Sequence, residues 1–401
     1  MSAVNRWLTA AVIGIVVAAT LFAAGFGIGR YVLSPWQPVT PTGPEGLQEQ
    51  SRLLWEAWRL LRDNFYSELP LDQQEMIHGA IRGMVESLGD RHTMFLTPQQ
   101  AEVFRDDLEG EFGGIGVTVD ITEGGELLII TAIPDTPGDR AGLRAGDVVL
   151  KVDGTAVWGM DLAQAIALIR GPAGSDVSLV VRHPTGETAE LVVTRALIEV
   201  PTTEHHILDE GVAYLAVFDC NARATAAVRA ALEDVLKQRP RALILDLRGN
   251  PGGYLHVARD IADEFIDRGL LLTERDSAGH ETVHRARRGG RATQITMAVL
   301  VDAGSASAAE IIAGAIQDNG RGVLVGERTF GKGSVQVTER LSDGSGLQIT
   351  IRRWYTPNGR QIDGQGLVPE IEVAVSDEDL SQQQDPQLQA ALAYLLSEPP
   401  V

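Results

Sequence analysis

The chain has 401 residues, 44% of them apolar, with 43 glycines and a formal charge of −20; it is long enough for two or three folded domains, and this composition excludes a disordered chain. A broad nucleic-acid surface is excluded too, because phosphate neutralisation needs clustered Lys and Arg that an acidic chain of this kind does not offer. Cys220 is the lone cysteine, so no disulfide closes within the chain, and a small buried thiol is its simplest reading.

From the N-terminus, the 23 residues Trp7 to Gly29 carry no charge. As a helix rising ~1.5 Å per residue they reach ~34 Å, enough to cross a bilayer core. A cleaved secretory signal competes with this reading, but the run exceeds the usual apolar core of about 7–15 residues and no clear Ala-x-Ala site follows. The expectation is an uncleaved transmembrane anchor over 7–29, placing the protein at the cell membrane, single-pass, with its acidic bulk on the extracytoplasmic side. Pro35, Pro38, Pro41 and Pro44 then make residues 30–50 an extended tether. An N-terminal helical region, 51–100, follows: one amphipathic helix from Ser51 to Tyr66, and another opened by Asp72 with Glu75 three residues on, a capping-box pattern. In the second, Ile77, Ala80, Ile81, Met84, Val85 and Leu88 share a face at helical spacing.

Residues 101–195 read as a β-rich domain, with strands at Gly116 to Ile121, Leu127 to Ile133, Asp147 to Val152, Val177 to Val181 and Thr188 to Thr194, and one helix, Asp161 to Arg170. Over 196–376 strand and helix signals alternate: Val212 to Val217, Ala222 to Lys237, Ala242 to Leu247, Tyr254 to Asp267, Thr296 to Val301, Ala306 to Asp318, Val323 to Gly326. That rhythm predicts an α/β core with crossover helices. The tail, 377–401, is polar until a terminal helix from Asp385 to Leu396. The fold class expected is therefore multi-domain α/β: an N-terminal transmembrane helix, a helical segment, and a β-rich domain ahead of an α/β core.

In Phe112-Gly113-Gly114-Ile115-Gly116, a glycine-rich turn can aim successive backbone N–H groups at a carboxylate, and an extended peptide can add itself along the strand that follows. The plain alternative is a tight hairpin entry. Together with Asp139-Arg140-Ala141-Gly142-Leu143-Arg144-Ala145-Gly146-Asp147 and Lys151-Val152-Asp153-Gly154, this loop resembles the PDZ domain. The resemblance implies recognition of a free C-terminal tail at Gly113, Gly114, Ile115 and Gly116.

Further along, Ser307 begins a Ser-x-x-Glu capping box with Glu310. A helix N-terminus also suits a nucleophile, since its unpaired N–H groups and positive dipole end favour negative charge. Lys332 stands between Gly331 and Gly333, where another backbone can approach closely, and acts as a base only if desolvation lowers its pKa from ~10.4 towards about 7–8. If 332 to 337 is a strand, Lys332, Ser334 and Gln336 lie on one face. The uncharged amide oxygen of Gln336 can then orient the amine without favouring the ammonium form. The turn Asp246-Leu247-Arg248-Gly249-Asn250-Pro251-Gly252-Gly253 can supply oxyanion donors, and the N–H groups of Gly253 and Ala308 form the expected pair, with Gly252 as substitute for Gly253. Arg248 and Asn250 are read as holding loops. Asp318 lies eleven helical residues from Ser307, ~16 Å away, and is read as helix-terminal structure.

These stretches, with Gly304 to Glu310 and Gly326-Glu327-Arg328-Thr329-Phe330-Gly331-Lys332-Gly333-Ser334-Val335-Gln336, resemble the C-terminal processing peptidases, or tail-specific proteases, of the S41 family over about residues 51 to 376. The resemblance implies a serine endopeptidase cleaving proteins near their C-terminus, with Ser307 as nucleophile, Lys332 as general base and Gln336 as its partner. Ser307 is preferred to Ser305 because the family's serine stands three before the glutamate. No cofactor or metal is required. The partners expected are protein or peptide substrates with free C-terminal tails and the membrane through the N-terminal helix, with room for a homo-oligomer or an adaptor. Two rival classes are a tail-binding scaffold with a decayed peptidase domain and a small-ligand carrier on the same fold.

Overall fold

The computed structural model describes residues 48–66, 70–376, 378, 379, 382 and 384–397, and the chain divides into two compact units, Met1–Gln73 and Gln74–Val401. In the first lies the helix Gln48–Asn64. The helix Gln73–Glu86 begins at the unit boundary and continues in the second.

The expected fold class is corrected in one respect. Among the described residues no helix is long and apolar enough to cross a membrane; the longest, Gln48–Asn64, carries Arg52, Glu56, Arg59, Arg62 and Asp63 and is only 17 residues long. Its apolar residues make a stripe and not a girdle, which suits a surface and not a hydrocarbon core. Residues 7–29, on which the transmembrane expectation rests, lie outside the described residues, as does 30–47 of the tether.

The second unit is built around a six-stranded mixed sheet in the order Thr203–Ile207, Val212–Val217, Ala242–Asp246, Met297–Val301, Val323–Gly326, Ile371–Glu372. The first pair is antiparallel and the other four pairings are parallel. Ala242–Asp246 is buried at every position, as a parallel strand covered on both faces must be. Its alternation sorts the layers: Leu243 and Leu245 pack with the helices Ala224–Lys237, Leu255–Ala262 and Ala308–Asp318, while Ala242 and Ile244 pack with Ala391 and Leu395 of the helix Pro386–Ser397 on the opposite face.

A second, antiparallel sheet carries the loop of Lys332. Gly346–Tyr355 lies at its centre, pairing with Met94–Leu96, Leu270–Asp276 and Ser334–Arg340, and Glu281–Arg285 forms an edge beyond Leu270–Asp276. The β-rich domain is a sheet in the order Val117–Ile121, Leu127–Ala132, Val148–Val152, Asp176–Arg182, Thr188–Thr194, with its own core of Leu127, Ile129, Val149, Leu179 and Val181. The helix Leu162–Ile169 is capped by Asp161, whose side chain accepts the Gln164 N–H at 2.8 Å. A two-stranded ribbon, Glu111–Gly114 with Ala196–Glu199, forms the neck of this domain. Just before it, the helix Pro98–Glu109 opens with a Thr97–Gln100 capping box and Pro98 in its first turn.

Candidate active site

The strand Met297–Val301 ends in a loop that delivers Ser307 to the N-cap of Ala308–Asp318. Ser307 has φ = 53°, a conformation that costs an L-residue of order 1–3 kcal/mol and persists where surrounding contacts impose it. A serine at a sharp strand-to-helix turn presents its hydroxyl outward. Ser305 has the opposite fate. Fully buried, its hydroxyl donates to the Leu247 carbonyl at 2.8 Å and fastens this loop to the neighbouring strand end.

Ser307 and Lys332 line one cleft of about 1160 Å³. Burial lowers the pKa of the Lys332 amine, and the negative charge of Glu310 works against that shift. No hydrogen bond joins Ser307 Oγ to Lys332 Nζ among the described residues. What connects the two residues is Glu310, whose side chain has no exposed surface. Its Oε2 accepts the backbone N–H of Ser307 at 2.8 Å and that of Lys332 at 2.9 Å. Its Oε1 accepts the Thr329 hydroxyl at 2.5 Å and the Gly331 N–H at 2.7 Å. The Ser-x-x-Glu pair thus forms a capping box, of which the well-formed half is the Ser307 N–H bond, and the same carboxylate also grips the lysine loop. Burial pushes the Glu310 carboxyl above the usual range while these four donors pull it back.

The glycine turn packs directly against the serine. A Cβ on Gly252 (φ = 110°) would stand 2.7 Å from Ser307 Cβ, and one on Gly253 (φ = 139°) 2.4 Å from the Cys220 carbonyl oxygen, so neither position accepts a side chain. The Gly252 N–H already donates to Asn250 Oδ1 at 2.9 Å. Among the described residues the N–H groups of Gly253 and Ala308 donate to nothing, which makes Gly253 and not Gly252 the donor available beside Ala308. Asn250 is wholly buried and donates to the Val217 carbonyl at 2.8 Å. Arg248 bridges Asp246 (2.6 Å) and Asp385 (2.9 Å), tying the turn to the start of the C-terminal helix.

Gln336 lines the same cleft. Its amide nitrogen donates to Ser334 Oγ at 2.7 Å and Thr350 Oγ1 at 3.3 Å, leaving Oε1 open as an acceptor. The strand begins only at Ser334 and is irregular between Val335 and Gln336, so a simple two-residue period does not carry from Lys332. Asp318 bonds Arg360 and the Asn358 N–H, at the far end of the helix from Ser307. In the glycine loop of the β-rich domain, Gly113 and Gly114 are in the neck ribbon, paired with Leu197 and Ala196. The N–H groups of Ile115 and Gly116 have no acceptor among the described residues. The Arg170 guanidinium lies 3.9 Å from the centre of the Phe112 ring and pairs with Asp107 at 2.9 Å.

Two contributors to the site escape a sequence reading. The second role of Glu310 is one, since its bonds to Thr329, Gly331 and Lys332 span 19 to 22 residues. The other is the helix Pro98–Glu109, which walls the cleft through Gln99, Glu102 and Arg105; its signal, Thr97-Pro98-x-Gln100, was available.

Residues 211–373 match peptidase family S41 and residues 128–183 match a PDZ domain. A carboxy-terminal-processing protease of Bartonella bacilliformis is 32% identical over 358 residues, covering 88% of this chain and 81% of that protein. A chloroplastic C-terminal processing peptidase of Tetradesmus obliquus is 35% identical over 335 residues, covering 79% and 72%. Among solved structures, the photosystem II D1 C-terminal processing protease matches at 33% identity with a TM-score of 0.50, covering 79% of this chain and 87% of that one. The chain therefore belongs to the carboxy-terminal processing serine proteases of peptidase family S41, with a PDZ domain as its β-rich module.

Proposed function

We propose that this protein is an endopeptidase that cuts proteins near a free C-terminus through a Ser307–Lys332 dyad. The observation that carries the reading is the single Glu310 oxygen on which the backbone N–H groups of both residues converge, inside one cleft. In the first half-reaction the neutral Lys332 amine takes the Ser307 hydroxyl proton as Oγ attacks the peptide carbonyl. The Gly253 and Ala308 N–H groups receive the oxyanion. Collapse of the tetrahedral intermediate breaks the C–N bond, the leaving nitrogen takes the proton from Lys332, and an ester remains on Ser307. Water then attacks the ester with Lys332 as base again, releasing the new carboxyl group and restoring the hydroxyl. Gln336 Oε1 orients the amine. The open N–H groups of Ile115 and Gly116 hold the tail carboxylate, in a loop shaped by Gly113 and Gly114. The dyad does not require a bond between Oγ and Nζ before substrate arrives, since catalytic hydrogen bonds often tighten only around substrate.

Incubating the full chain with an unfolded protein that ends in an apolar tail tests this reading. Mass spectrometry should find fragments cut near the C-terminus, and both Ser307→Ala and Lys332→Ala should lower the rate by at least about 1000-fold. Persistence of those fragments in Ser307→Ala would refute it.

A further inference from the structure

Five carboxylates line the cleft, Glu102, Asp106, Asp107, Asp219 and Asp343, and among the described residues Asp219 is the one without an ion-pair partner. Asp219 leaves the strand Val212–Val217 and lines the same cleft as Ser307 and Lys332. Its neighbour Cys220 donates its N–H to the Gly252 carbonyl at 2.7 Å, and the Cys220 carbonyl accepts the Tyr254 N–H at 2.9 Å. Cys220 therefore makes an isolated parallel bridge with Gly253, and the neighbouring Gly252 packs against Ser307. Two strand spacings put Asp219 ~10 Å from the nucleophile. An extended substrate advances ~3.3 Å per residue, so this distance is about three residues along a bound chain.

The environment of Asp219 is that of an anion lacking a counter-charge. Its Oδ1 accepts the Asn221 N–H at 2.9 Å in a local turn, and among the described residues no cation pairs with it. Burial raises its pKa, the Asn221 bonds oppose that shift, and the nearby Asp107 adds to it. The turn itself does not need the charge, because an asparagine oxygen accepts the same N–H. An ionised carboxylate held here is uncompensated until a cation arrives, and the long side chains of lysine and arginine span the gap from an extended backbone.

We propose that Asp219 is a specificity-determining residue that selects substrates carrying a lysine or arginine within about three residues of the bond cut. The inference rests on Ser307 being the nucleophile. To test it, one cut site in an unfolded protein is mapped, and peptides spanning it are made with lysine or methionine at each of the three positions on either side. At one or more positions the wild-type full chain should favour lysine by about tenfold in kcat/KM. Asp219→Asn, which keeps the turn, should bring that ratio to parity, with the loss falling on the lysine peptide, and the wild-type preference should fade as pH drops through the titration of Asp219. Equal cleavage of all peptides by the wild type overturns the proposal, as does a lysine preference that survives in Asp219→Asn. An equal loss on both peptides assigns Asp219 to structure alone and overturns it as well. If the folded wild type cuts nothing, the dyad reading falls and takes this one with it; if it cuts in a Ser307-dependent way without a cation preference, only this inference falls.

Discussion

Two regions of the molecule treat their backbone N–H groups in opposite ways. Around Glu310, three backbone N–H groups and one hydroxyl converge on a single buried carboxylate. In the PDZ loop, the N–H groups of Ile115 and Gly116 meet no acceptor among the described residues. The first arrangement is complete without a ligand and holds two loops at one separation, which suits residues that must meet with sub-ångström precision. The second leaves donors for a partner to use. On the proposed function, positioning and capture call for opposite states of the same chemical group.

The largest effect expected on breaking this contrast comes from Glu310→Gln. Glutamine has one acceptor oxygen, and its NH₂ would face two of the four donors. The turnover number should fall on the order of 100-fold with KM little changed, as steady-state kinetics on a variant shown by thermal melting to be folded would measure. The pH profile separates positioning from plain structural damage. Wild-type kcat/KM should rise with pH as the Lys332 amine sheds its proton. Because the Glu310 charge raises that amine's pKa, its removal should move the rising limb to lower pH. An unmoved limb would mean that the Glu310 charge does not act on the base.

A smaller effect sharpens the other side. Substrates whose terminal carboxylate is replaced by an amide should bind about tenfold more weakly, in KM and not in kcat, if Ile115 and Gly116 grip the tail. Unchanged KM would remove the loop from recognition. The smallest effect belongs to Asp343, at the tip of the hairpin that carries Gln336. Hydrogen bonds from the Ser345 side chain and from His78 hold its carboxyl down to about 2. A depressed carboxyl contributes stability that is present above its unfolded value and lost as pH falls through the folded one. Asp343→Asn should lower the melting temperature by about 1–3 °C at neutral pH, and the difference should vanish as pH falls from ~4 to about 2. A difference that does not shrink with acid would assign the loss to packing.

Local signals made much of the fold legible. The strand Ala242–Asp246 is apolar at four successive positions because both its faces are covered. Asp161 caps its helix where an N-cap residue should stand. Other elements carry local signals that cut across the expected domain boundary, as with Thr97 and Pro98 at the head of Pro98–Glu109, a helix that runs from the expected helical region into the expected β-rich one. The antiparallel sheet was hidden for a different reason. Gly346–Tyr355 pairs with Met94–Leu96, some 250 residues earlier in the chain, and Arg352 and Arg353 interrupt its apolar run. Such a strand is stabilised by neighbours that no short window contains.

At the site, residue type and spacing alone pointed to a serine at a helix start, a lysine flanked by glycines and a glycine turn between strand and helix. They also made Glu310 a cap, because capping reaches only three residues. That its Oε2 would also bind the Lys332 N–H, and that Gly252 would lose its N–H to Asn250 while Gly253 kept its own, was decided only when the parallel sheet set its strand ends side by side. Caps and turns are closed by atoms a few residues apart and can be read from order along the chain. The distances that matter for chemistry are closed by burial and strand order, which depend on the whole fold at once.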